Sequence, residues 1–209
     1  MSDLRYEVLV HDGVRRQRVQ TLPDSSPIVS SPLASTLIFG DSDAVLVDPP
    51  FTREQVQRTG DWIERSGKNL AFIYATHGHG GSLVRHRPSG ATLSRCHRIR
   101  HRGHDRGDAR AGHRGPCPNV GRRLSWPHPP SPVVYQPVPA DGFELEGQRL
   151  VAVEVGHTDT DNTTVLHVPS IGLVVAGDVA YNGVHQYLLE SAGGGITSWV
   201  RAHASFSTR

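Results

Sequence analysis

The sequence predicts a layered α/β fold of short strands with few helices. Three observations carry that reading. Leu37-Ile38-Phe39 and Ala44-Val45-Leu46-Val47-Asp48 flank the turn-forming Gly40-Asp41-Ser42-Asp43, a hairpin of two largely buried strands. One segment alone has helical periodicity with both end signals in place. Several short apolar runs then stop at a Gly or Thr beside a His or Asp, as strands do when they deliver side chains to a sheet edge.

Taken in order, the helix follows the hairpin. Thr52 with Gln55 fits a capping box, Val56, Thr59 and Ile63 fall on one face, and Gly67 suits a C-terminal cap, so the helix is predicted over Arg53–Ser66. Leu70–Ala75 is a short apolar strand ending at Thr76-His77-Gly78-His79. Farther on, Phe143-Glu144-Leu145-Glu146 turns through Gly147-Gln148 into Leu150–Val155, which delivers Gly156-His157-Thr158. Thr164–Pro169 and Leu173–Ala176 form another hairpin that stops at Gly177-Asp178.

A chain of 209 residues suits one domain, so residues 1–209 are expected to form a single unit. With 36% hydrophobic and 20% charged residues, neither a coiled coil nor a wholly disordered chain fits. No apolar run reaches the roughly 18 residues of a membrane span, and the first residues lack the apolar core of a signal peptide, so a cytoplasmic location is expected. Cys96 and Cys117, without a Cys-x-x-Cys pair, exclude a disulfide scaffold or a zinc ribbon. A net charge of +2 points to no partner class and leaves oligomeric state open.

The strand ends carry the chemistry. On an extended segment, His77 and His79 put both imidazoles on the same side, and His157 and Asp178 add a nitrogen and an oxygen donor from separate strands. A single His after a strand is usually a satisfied loop residue; the set of four is a metal-ligand pattern. Asp159 and Asp161 are placed to orient His157 through a hydrogen bond, although acids in a polar turn are usually just solvated. Tyr181, Asn182 and His185, beyond the last strand end, are candidates to line a substrate pocket. His11 and His167 have no partner pattern and read as structural.

Thr76-His77-Gly78-His79-Gly80, Gly156-His157-Thr158 and Gly177-Asp178 resemble the ligand motifs of the metallo-β-lactamase superfamily, and Leu46-Val47-Asp48 its early strand ending in Asp. The matching segments are residues 35 to 80 and 135 to 190. The resemblance implies an αββα sandwich with metal at the sheet edge, usually zinc and sometimes iron. It implies a hydrolase of a small-molecule ester, lactone, thioester, β-lactam or phosphodiester, in which metal-activated water attacks the bond and the shared ligand Asp178 serves catalysis. In the family pattern His-x-His-x-Asp-His, an Asp and a His help bind a second metal; here Gly81 and Ser82 stand in their place. A last family His usually lies several dozen residues beyond the shared Asp, and His203 matches no such motif. The expectation is therefore one zinc on His77, His79, His157 and Asp178, an incomplete second site, an incomplete sandwich and impaired chemistry. The competing class is a non-enzymatic relic or interaction protein.

Residues 81–132 are of different material. They hold 11 of the 22 basic residues, 6 of 13 His and two acids, with 12 apolar residues among 52, so they are expected to be disordered. Ser82–Arg87 can be encoded so that reading one nucleotide later gives His-Trp-Phe-Gly-Thr, which opens with the His the family pattern requires. A GC-rich gene read out of frame yields Arg, Gly, Pro and His, and a frameshifted middle segment is the reading adopted. Nucleic-acid binding is not expected, because Trp126 is the segment's one aromatic residue and Gly and Pro interrupt any helix. Cys96, His97, His101, His104 and Cys117 fit no common zinc finger.

Overall fold

The computed structural model describes residues 3–15, 22–77, 92–95, 136–139, 141–188, 191 and 195–206. The first sheet is built from β1 (Arg5–His11), β2 (Leu33–Phe39), β3 (Asp43–Val47), β4 (Asn69–Ala75), β5 (Thr92–Arg95) and β6 (Gln136–Pro137), in that spatial order. All neighbours are antiparallel except β3 and β4. A parallel pair needs a crossover, and α1 (Arg53–Ser66) provides it. β7 (Phe143–Leu145), β8 (Gln148–Gly156), β9 (Thr163–Val168) and β10 (Leu173–Val175) form a second, antiparallel sheet, followed by α2 (Gly195–Phe206). The molecule is thus a mixed α/β fold with two sheets and few helices.

Local chemistry explains the elements that the sequence predicts. The β2–β3 hairpin closes with Phe39 opposite Ala44, and the Gly40 N–H donates to Asp43 O at 3.0 Å. The α1 bounds are those expected: the Gln55 N–H donates to Thr52 Oγ1 at 3.2 Å, and Gly67 takes the left-handed φ of 67° that a Cβ would disfavour. Alternation in β2 divides its side chains between two cores. Leu37 and Phe39 pack with Leu46, Ile73 and the α1 residues Trp62 and Ile63. Ile38 packs with Val45, Val47 and Tyr74 against Phe143, Leu145, Leu150, Leu166 and Val168 of the second sheet.

β1, β5, β6 and α2 went unpredicted. β1 puts Tyr6, Val8 and Val10 on an exposed face, and α2 buries Trp199 and Ala202 while exposing Ile196 and Val200, so neither strand nor helix has one clean apolar side. The last predicted strand is one residue shorter, because the chain leaves the ladder at Ala176 for a one-turn 3-10 helix, Gly177–Val179. Of the segment 81–132, Thr92–Arg95 forms β5, paired with β4 and β6. The other residues of that segment, on which the expectation of disorder mostly falls, lie outside the described residues. Among the described residues no helix is long and apolar enough to cross a membrane.

Candidate metal centre

Three strand ends converge where the two sheets meet. β4 passes into Thr76, whose carbonyl accepts the Thr164 N–H at 2.9 Å and the Thr164 hydroxyl at 2.7 Å from β9. Because the Thr164 hydroxyl is spent on that carbonyl, its oxygen accepts from the Tyr74 phenol, 2.8 Å away. The end of the first sheet is thereby locked to the second by buried hydrogen bonds. Across from it, Asp48 follows β3 with a left-handed φ of 51°, a conformation Asp tolerates better than most residues. Its carboxylate receives the Thr76 N–H at 2.8 Å and the Thr76 hydroxyl at 3.0 Å. Burial pushes the Asp48 carboxyl above the usual carboxylate range, opposed by His77 and by the Thr76 donors.

That arrangement orients the His77 ring. Thr76 Oγ1, bonded to the Asp48 carboxyl on one side, lies 2.9 Å from His77 Nδ1 on the other. His77 Nε2 faces two carboxylate oxygens: Asp159 Oδ2 at 3.6 Å and Asp178 Oδ2 at 3.8 Å. One donor atom from each of His77, Asp159 and Asp178 lies within 4.8 Å of the other two. Two carboxylates and an imidazole form a divalent-cation donor set. Ligand atoms around a tetrahedral zinc stand roughly 3.3 Å apart, from bonds of about 2.0–2.2 Å, so these separations need only small side-chain rotations to close on an ion.

Asp178 is placed from two sides. Gly177, at φ 53°, sits so close to Thr76 Oγ1 that a Cβ would overlap it. On the other side the Tyr181 phenol donates to Asp178 Oδ2 at 2.7 Å, and the Tyr181 ring leans on Trp199 with centroids 6.0 Å apart. Trp199 in turn donates its indole N–H to Val179 O at 2.9 Å. Burial and the Asp178 carboxylate push the Tyr181 phenol far up, so it remains a proton donor.

Of the four predicted ligands, His77 and Asp178 come together, and His79 lies outside the described residues. His157 stands outside the group of three. Its Nδ1 is 2.7 Å from Asp161 Oδ1, the orienting contact expected for that acid, while Nε2 is buried without a hydrogen-bond partner among the described residues, against Gly195 of α2. Asp159, expected to orient His157, instead joins His77 and Asp178. It is fully buried and its Oδ1 accepts from the Thr158 hydroxyl at 2.9 Å. Its position two residues after His157 was visible in the sequence; its burial was not. Asn182 and His185 are exposed, and Tyr181 acts on Asp178. His11 is buried against Thr59, a structural place.

No protein-family model matches the sequence, and no curated protein is similar to it at a significant level. Among solved structures the chain is similar to VMB-1, a metallo-β-lactamase crystallised at pH 5.5 in Bis-Tris, with a TM-score of 0.56 and 13% identity. The similarity covers 100% of this chain and 85% of VMB-1. At this identity it speaks to the fold: the chain has the metallo-β-lactamase fold.

Proposed function

We propose that this chain is a metal-dependent hydrolase of the metallo-β-lactamase superfamily, an αββα sandwich in a single domain, that acts on a small-molecule ester, lactone, thioester or related bond. The observation that carries the reading is that His77 Nε2 faces Asp159 Oδ2 and Asp178 Oδ2 at a sheet edge of that fold. Zinc is the proposed metal, with iron the alternative. His77, Asp159 and Asp178 would hold it, joined by His79, and His157 offers a further nitrogen whose Nδ1 is already anchored on Asp161. When bound, the cation supplies a Lewis acid and raises the acidity of water towards neutrality.

The chain's own residues do the remaining work. Thr76, held by Asp48, orients the His77 ring, and Tyr181 orients the Asp178 carboxylate. Gly81 and Ser82 supply neither proton acceptor nor ligand where the family pattern has Asp and His, so turnover is proposed to be low. The test is zinc content after dialysis together with hydrolysis of a panel of esters, lactones, thioesters and nitrocefin. Wild type should retain zinc and turn over at least one of the substrates slowly, and His77→Ala and Asp178→Ala should lose both. Zinc retention with no turnover would favour the relic reading, and retention unchanged in both variants would remove this site from consideration.

A further inference from the structure

Asp178 Oδ2 has two claims on it. It faces His77 Nε2 at 3.8 Å and accepts the Tyr181 phenol at 2.7 Å, so one of its lone pairs is already occupied. A carboxylate on a short turn after a strand would otherwise rotate about χ1 and χ2, and its side chain is 39% exposed, so packing alone does not hold it. Tyr181 is itself held. Trp199 is 4% exposed, its ring packs against the Tyr181 ring, and its N–H is bonded to Val179 O, the carbonyl immediately after Asp178. One helical side chain thus fixes both the backbone that carries the ligand and the phenol that orients it.

We propose that Tyr181 is a positioning residue for the Asp178 carboxylate, braced by Trp199 of α2, and that this pair sets how tightly the His77–Asp159–Asp178 group holds a divalent cation. The inference rests on the metal reading of that group. A phenol hydrogen bond confines the carboxylate to one rotamer and leaves Oδ1 and the second Oδ2 lone pair for the ion. Outer contacts of this kind are worth roughly 10- to 100-fold in metal affinity. Tyr181→Phe removes the hydroxyl and retains the ring contact with Trp199. Trp199→Phe retains an aromatic ring and removes the N–H that ties α2 to Val179.

The experiment titrates the purified full chain with Zn2+ calorimetrically and with Co2+ by visible absorption, and records thermal unfolding in excess chelator. Tyr181→Phe should bind Zn2+ about 10-fold or more weakly and alter the Co2+ d–d spectrum, while unfolding in chelator stays as in wild type. Trp199→Phe should weaken binding in the same direction by a smaller factor, and it serves as the readout if Tyr181→Phe fails to fold. Affinities and Co2+ spectra equal to wild type in the folded variants would overturn the proposal and leave the metal reading standing. A wild type that takes up neither ion would overturn both.

Discussion

At the scale of single residues, His11 shows how burial turns into pH dependence. The imidazole is 1% exposed with Nε2 3.1 Å from Thr59 Oγ1, whose own proton goes to Gln55 O at 2.9 Å. The ring must therefore donate from Nε2, which leaves Nδ1 as a buried, unprotonated acceptor without a hydrogen-bond partner among the described residues. Burial, then the Arg58 charge, lower its pKa below the usual imidazole value, with Asp12 pulling weakly the other way. The unfolded chain thus binds a proton more readily than the folded one, so His11 costs stability as pH falls through and below about 6.5. His11→Leu should unfold with a shallower loss of stability between about pH 7 and 5 than wild type, in urea melts at several pH values. Thr59 keeps its bond to Gln55 O in the variant, so the comparison isolates the titration. Parallel pH profiles for the two proteins would mean that the protonated ring is accommodated.

At the scale of elements, two turns and one glycine hold the site's frame. The Glu146 carboxylate, in the β7–β8 turn, accepts the backbone N–H groups of Asp41, Ser42 and Asp43 at 2.9, 2.7 and 2.7 Å, clamping the second sheet to the β2–β3 hairpin. Charge-assisted bonds of this kind exceed neutral ones, although exposure to water reduces them here. Glu146→Ala should cost on the order of 1–2 kcal/mol and Glu146→Gln less, read by urea unfolding; equal stability of all three proteins would show that water replaces the carboxylate at no cost. Gly177→Ala meets Thr76 Oγ1 and a left-handed φ at once, so about 1–3 kcal/mol of stability should go, and zinc affinity with it, because the strain falls on the residue before Asp178. Calorimetric zinc titration beside a thermal melt separates the two losses. Wild-type values in both would require the chain to re-route at Ala176. The elements legible in the sequence were those whose signals are local: Thr52 and Gly67 end α1 through their own side chain and φ, and the tetrapeptide at 40–43 turns between two apolar runs. β1 and α2 were not legible, because their burial depends on partners distant in the chain, such as Glu7 Oε2 for the Trp62 indole and Val179 O for the Trp199 indole. Asp159 is the same case at the site: a polar turn in the sequence places it in solvent, and the meeting of β4, β8 and β10 buries it.

Across the whole molecule, the site is the seam between the sheets: His77 hangs from β4, Asp159 follows β8, Asp178 follows β10, and Thr164 of β9 stitches the second sheet to Thr76. A cation bound there ties the two halves together and has no equivalent site in the unfolded chain, so binding should add directly to stability. At free zinc about 100-fold above Kd the gain is about 2.7 kcal/mol, and a domain of this size moves by roughly 2–4 °C per kcal/mol, so the thermal midpoint should rise by about 5–11 °C and fall back in chelator. Uptake should saturate near one ion per chain, since the described donors make one group and the second-site Asp and His of the family pattern are Gly81 and Ser82. Zinc on stray surface imidazoles would also raise uptake, and Asp178→Asn separates the two sources: it should abolish the thermal shift while stray binding persists. Two tightly held ions per wild-type chain after dialysis, or a thermal shift that survives Asp178→Asn, would show that the metal is held by residues other than these three.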